Sequence, residues 1–246
     1  MRAIRAAVGG LAAVAALAAG GCGAARTDGN AVPVISPTPA ADPFASAIIM
    51  TRSWGSAEAA IDGFTVLDGR RHAISGDGHL GLDEGLGAVT WSTPDGPVTE
   101  LVNDRAVFTS TGTGWVREPG RHTDTSCLAD PLRGLADAPG AVALPVADGL
   151  RRYQVRLPLT AESVACSGMS LLRTAAILAW PDLAGSVVAT GWVDPNHRLV
   201  RIDRELAASA PGHSATAAIT TRLDDFGIML DLDSPPSASV STLPTR

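Results

Sequence analysis

A chain of 246 residues with 19 arginines, no lysine, 25 acidic residues and a net charge of −6 is acidic overall and carries no basic run. That balance excludes nucleic acid as a partner and any broad electrostatic hold on anionic lipid. The missing lysine excludes a P-loop, a Schiff base and a Ser-x-x-Lys acylation pair.

At the N-terminus, Arg2 and Arg5 precede an apolar run from Ala6 to Ala19, followed by Gly20, Gly21 and Cys22. A positive start, a short apolar core and small residues predict a secretory signal peptide over residues 1–21. The run falls short of the roughly 20 residues that a membrane-spanning helix needs. Cys22 after Ala19-Gly20-Gly21 resembles the lipobox of bacterial lipoproteins, in which the thiol is diacylated and becomes the new N-terminus. The box departs from the usual pattern, since Ala19 stands where leucine is expected and Leu17 lies further upstream. Ordinary cleavage near Ala16 to Ala19, releasing a soluble protein, is the alternative. The lipidated reading places the mature chain on the extracytoplasmic face of the cell membrane, held there by its acyl chains. The all-arginine usage and the Ala and Gly excess point to a GC-rich genome such as an actinobacterium's.

Residues 22–44 follow as a flexible linker, with Pro33, Pro37, Pro39 and Pro43 among small residues. A single folded domain is expected over 45–233, and a disordered tail over 234–246, opening with Ser234-Pro235-Pro236-Ser237. A weak helix is predicted from Pro43 to about Trp54, bearing Ile48, Ile49 and Met50. Hairpin chemistry then recurs. Pro94-Asp95-Gly96 separates two apolar runs, Asn103-Asp104 turns Leu101-Val102 into Ala106-Val107-Phe108, and Asp194-Pro195-Asn196-His197 joins Trp192-Val193 to Leu199-Val200. Tyr153, Val155 and Leu157 alternate with Arg152, Gln154 and Arg156, and Ala215, Ala217, Ile219, Thr221 and Leu223 form a second alternating row. Asp130 to Asp137 suggests a short helix. Met169 to Ala179 predicts a buried one, with Leu171, Leu172, Ala175, Ala176 and Leu178 covering most of its circumference. Trp180-Pro181 ends it.

Cys127 and Cys166 form an even pair in an oxidising compartment, and a disulfide between them is the expectation. It would close a loop of roughly 40 residues and stabilise the fold by about 4 kcal/mol. Two buried free thiols are the alternative.

Several landmarks together resemble the actinobacterial envelope lipoproteins of the LppX/LprG type, related in fold to the LolA and LolB carriers. They are Gly76-Asp77-Gly78, the segment Leu101 to Phe108, Gly114-Trp115, Asp130-Pro131-Leu132, Arg152-Tyr153-Gln154-Val155, Gly191-Trp192-Val193-Asp194 and Leu223-Asp224-Asp225-Phe226-Gly227. The resemblance implies an α+β fold, a curved antiparallel half-barrel with a few helices on its concave face. It also implies a cavity for a lipid or glycolipid. The Cys127/Cys166 pair departs from the family's general pattern. So do the glycines of the early strands (Gly76, Gly78, Gly81, Gly85 and Gly87), which thin the apolar lining.

Trp91, Phe108, Leu171, Leu172 and Leu178 are the candidate cavity-lining residues, and Arg173 is the candidate headgroup contact. The alternative, which packed interiors favour for any single apolar one, is that it fills the core. For metal chemistry the stock is His72, His79, His122, His197 and His213 with Asp224, Asp225, Asp231 and Asp233, but no spacing among them has ligand logic. No metal, cofactor or catalytic residue is expected, because no Gly-x-Ser-x-Gly elbow or dinucleotide fingerprint occurs. The sequence predicts a non-enzymatic, membrane-anchored lipoprotein that binds a lipid or other amphiphile. The rival is an envelope scaffold with a filled core. A sheet-to-helix void on the order of several hundred Å3 would mark the binder, and a filled core would show none.

Overall fold

A computed structural model describes residues 42–82, 85–103, 106–110, 114–118, 130–136, 138 and 140–242. The signal peptide, Cys22, nearly all of the linker, His122 and Cys127 lie outside the described residues.

The chain enters the fold through helix α1, Pro43–Arg52. Asp42 caps it, accepting from the Phe44 amide at 2.8 Å, and Pro43 sits in the first turn where its missing N–H costs nothing. Phe44, Ala47, Ile48 and Thr51 form its buried stripe, while Ile49 and Met50 face outward. Thr51 fastens the helix to the sheet, accepting the Leu199 amide at 2.7 Å and donating to the Ala47 carbonyl at 2.7 Å.

Twelve strands follow among the described residues, in one open sheet. The first meander is β1 (Ser56–Leu67), β2 (Arg70–Gly81), β3 (Gly87–Thr93), β4 (Gly96–Val102), β5 (Val107–Ser110) and β6 (Trp115–Glu118). The second is β7 (Val142–Ala147), β8 (Leu150–Leu157), β9 (Ala184–Val193), β10 (Leu199–Ala210) and β11 (His213–Asp224). The antiparallel pairing of β1 with β11 joins them, and β12 (Val240–Thr242) adds to β6 in parallel. Asp68-Gly69 and Asp148-Gly149 turn two of the hairpins with both residues at positive φ, the backbone twist that a tight two-residue loop needs.

One face of this sheet is a buried, mostly apolar row, interrupted by Arg204 and Thr221. Tyr153, Val155 and Leu157 stand opposite Gly191, Ala189 and Val187. Those in turn align with Ile202, Arg204 and Leu206, which align with Thr221, Ile219 and Ala217. All three helices among the described residues belong to this face. A Cβ at Gly191 would strike the Phe44 ring of α1, and one at Gly168 would strike Ile74 and Ile219. Gly168 lies between α2 (Ala161–Ala165) and α3 (Leu171–Leu178). Thr160 and Ser163 cap α2 reciprocally.

Three expectations are corrected. In place of the helix expected over Asp130 to Asp137, Pro131 to Ala136 is a run of turns with i to i+3 bonds and Gly134 at φ +71°, and Asp137 lies outside the described residues. Its Pro131 and Arg133 carbonyls point to the Arg204 side chain and not along a helix. The helix expected from Met169 begins at Leu171 and is not buried all round. Ile177 and Thr174 face inward, whereas Ala175 and Ala176 face solvent. The tail expected to be disordered from 234 contains a 3-10 turn, Ser237–Ser239, and then β12. It is ordered because it covers the opposite face of the sheet, where Leu232 and Val240 pack on Leu101, Ala106 and Phe108.

Asn103 holds that segment down. Its amide donates to the Leu232 carbonyl and the Ser234 hydroxyl, both at 3.1 Å, while its oxygen accepts from Ala106 at 3.2 Å. Asn103→Ala is expected to cost about 1–3 kcal/mol and to expose the chain beyond Leu232 to limited proteolysis. A variant with wild-type cleavage kinetics would show that the segment is held without this residue.

Candidate functional site

The sequence-selected residues do not converge. Trp91 lies on the helix-bearing face, in register with Gly76, whose Cβ would fall 2.7 Å from the Trp91 ring. That glycine makes a seat for the indole. Phe108 lies on the other face, opposite Leu101 and under the C-terminal segment. No single cavity takes both. Leu178 is half-buried against the main core. Leu171 and Leu172 open α3, and Arg173 follows them on its first turn, with Nη2 3.2 Å from His72 Nε2 at the surface.

The other described histidines are equally dispersed. His79 pairs with Glu58 at 3.5 Å, and His197 Nδ1 lies 3.1 Å from Arg151. His213 stacks on Trp180 at 5.1 Å and bonds Asp68 at 3.3 Å. The Ser214 amide, helped by His213, holds the Asp68 carboxyl below its ordinary range. Among the described residues, no group of three or more His, Cys, Asp or Glu could hold a metal. Nor is any described helix long and apolar enough to cross a membrane.

Two voids flank α2. The larger, about 300 Å3, is lined by the apolar residues Leu157, Pro158 and Ala138, by Gly134, and by Thr160, Ser163, Glu162 and Arg133. That is the lower end of the range typical of small-molecule sites. The smaller, about 40 Å3, lies between the sheet and the α2–α3 turn, lined by Ile61, Ile74, Trp91, Ile219, Gly168 and Arg204 among others. Cys166, at the end of α2, also lines it and is disulfide-bonded.

Arg204 is the residue that sequence reasoning missed. It occupies the inward row of β10 between Ile202 and Leu206 and is only 4% exposed. Nη2 donates to the Pro131 carbonyl at 3.0 Å and to the Arg133 carbonyl at 2.9 Å. Nη1 is buried and has no hydrogen-bond partner among the described residues. Burial lowers its pKa to about 10, against the opposing charges of Asp130 and Glu162. Those two carboxylates are already engaged elsewhere, Asp130 with Arg52 at 3.4 Å and Glu162 with Arg133 at 3.1 Å. Burial also raises the Asp130 carboxyl above its ordinary range, despite Arg52. The signal was present in the sequence: a charge at Arg204 interrupts the apolar alternation Ile202, Leu206, Ala208.

No family model matches the chain, and no curated protein matches it. Among solved structures it is distantly similar to LprF from Mycobacterium bovis, at TM-score 0.46 and 14% identity over 78% of this chain and 95% of that one. A DUF1329 family protein from Desulfovibrio piger ATCC 29098 follows at TM-score 0.26 and 11% identity, covering 77% of this chain and 95% of that one. Transferrin binding protein B from serogroup B Neisseria meningitidis gives TM-score 0.22 and 6% identity over 70% of this chain and 25% of that one.

Proposed function

We propose that the chain is a cell-envelope lipoprotein, anchored through Cys22 on the extracytoplasmic face of the membrane, whose folded part binds a lipid or other amphiphile without chemistry on it. The observation that carries the binding reading is the void of about 300 Å3 beside α2, whose lining mixes apolar with polar and charged residues. An amphiphile needs both kinds of contact, and water alone does not. In this reading the open sheet is a curved half-barrel with the helices over its concave side. The disulfide of Cys166 is made with Cys127. Trp91, which lines the smaller void, and Leu178 and Arg173 of α3 remain candidate contacts.

A scaffold with a filled core is favoured by one feature, the small size of the void directly under the α2–α3 turn, about 40 Å3. Native mass spectrometry of the mature chain from residue 22, carrying Cys22→Ser so that no acyl anchor complicates the mass, separates the two. A bound species of lipid mass that organic extraction removes is the expected result. A bare polypeptide mass from an actinobacterial host would overturn the binding reading and leave the scaffold.

A further inference from the structure

The outward side of α1 carries no charge. Ser46, Ile49, Met50, Ser53 and Trp54 recur at three- and four-residue spacing from the helix into the turn after it. All are exposed, Ile49 by 68%, Met50 by 43% and Trp54 by 45%. A surface helix turns a polar face to water, whereas one that is apolar on both sides is covered. Of the six large apolar side chains exposed among the described residues, three lie on this short stripe, which is more than the scatter of single exposed residues. A fourth, Met229, follows a segment fastened beside it. The Gly227 amide donates to the Ser56 carbonyl at 2.9 Å, and the Ser56 hydroxyl donates to the Ile228 carbonyl. Trp54 itself is held by Phe226 at 6.3 Å and by the Arg198 guanidinium at 5.3 Å.

We propose that this stripe rests on the membrane surface, with Ile49, Met50 and Trp54 entering the boundary between headgroups and acyl chains; this goes beyond ligand binding and rests on the Cys22-anchored reading. The length of chain ahead of α1 selects the bilayer over a free partner. Asp42, the cap of α1, follows Cys22 by twenty residues, and a chain of that length spans at most about 70 Å when fully extended. A tether of such reach supplies an effective concentration on the order of millimolar. A contact too weak to hold a free protein therefore suffices. The side chains also fit. Tryptophan favours the lipid–water interface, and isoleucine and methionine bury apolar surface there. Attraction to anionic lipid is no part of the contact. Arg52 and Arg198 are already paired with Asp130 and Asp194, and exposed Asp224 and Asp225 precede Phe226.

The test holds the mature chain on phosphatidylcholine vesicles through a hexahistidine tag in place of Cys22 and a nickel-chelating lipid, so that it does not depend on acylation. Bromine atoms in the acyl chains quench a tryptophan that reaches them. Quenching is expected in brominated vesicles, and Trp54→Phe is expected to abolish it. Ile49→Ser with Met50→Ser should abolish it too without moving thermal unfolding, because both side chains are in solvent. The quenching should persist between about 0.01 M and 1 M salt, over which the Debye length falls from about 30 Å to about 3 Å. Quenching that survives Trp54→Phe, or that high salt removes, overturns the stripe as the contact. No quenching in the tag-held chain overturns the bilayer as its occupant. If the untethered chain is then a dimer that Ile49→Ser with Met50→Ser dissociates, the occupant is a second copy. The anchor is read separately, from the mass of the chain made in an actinobacterial host. No acyl mass on Cys22 overturns the anchored reading, and with it the tether that brings the stripe to the bilayer, whatever the tag-held chain shows.

Discussion

Replacing Phe44 by alanine is expected to lower the stability of the folded unit by about 3–5 kcal/mol, the largest effect of any single truncation in α1. The side chain is 1% exposed and stacks on Tyr153 of β8 at 5.8 Å. It also fills the notch that Gly191 leaves in β9. A Cβ at Gly191 would lie 2.4 Å from Phe44 Cε2 and 2.6 Å from Leu199 Cδ2. Phe44 therefore joins the first helix to strands contributed by the second half of the chain. Urea denaturation should show a lower midpoint with little change in slope. Gly191→Ala alone should cost about 1–3 kcal/mol by overpacking, and markedly less when Phe44 is already alanine. Two costs that simply add would show that the helix is not seated on that glycine.

The strands and their turns were legible because they are local. Alternation at Tyr153, Val155 and Leu157 and at Ala215 to Leu223 reappears as burial on one face. The turns at Pro94 to Gly96 and Asp194 to His197 join the strands expected of them. In the second, Asp194 accepts the Arg198 amide at 2.8 Å and also Nε at 2.9 Å and Nη2 at 2.7 Å of its guanidinium. Burial of Asp194 works to raise its pKa, yet those bonds hold the carboxyl below its ordinary range.

What the sequence hid is long-range. The pairing of β1 with β11 leaves no local mark, since either strand could have been an edge. Hydrophobicity alone does not say which face of the sheet a side chain occupies. Trp91 and Phe108 thus read as partners, while one residue of register places them on opposite faces. The glycines of β2 read as a thin lining, but Gly76 accommodates the Trp91 ring from the neighbouring strand, so small and large residues interlock. The C-terminal segment, rich in serine and proline, has the composition of a disordered end. It is ordered by the apolar patch beneath it, which is visible only once β4 and β5 are side by side.

Reduction of the Cys166 disulfide is expected to be nearly as costly as the loss of Phe44. Cys166 ends α2 and lines the void that Arg204 faces, so its cross-link restrains the turn from which Gly168 packs on Ile74 and Ile219. Pairing with Cys127 would close a loop of roughly 40 residues and remove about 4 kcal/mol of denatured-state entropy at 25 °C. For a folded unit of this size that corresponds to a fall in Tm of roughly 8–16 °C, read by thermal unfolding with and without reductant and in Cys166→Ser. The partner is identified in the same sample. Cleavage after arginine under non-reducing conditions should yield residues 122–133 joined to 157–173, separating when reductant is added. A transition unmoved by reductant, with those two peptides eluting apart from the outset, would refute the Cys127 pairing. It would also leave the α2–α3 turn held on the sheet by packing alone.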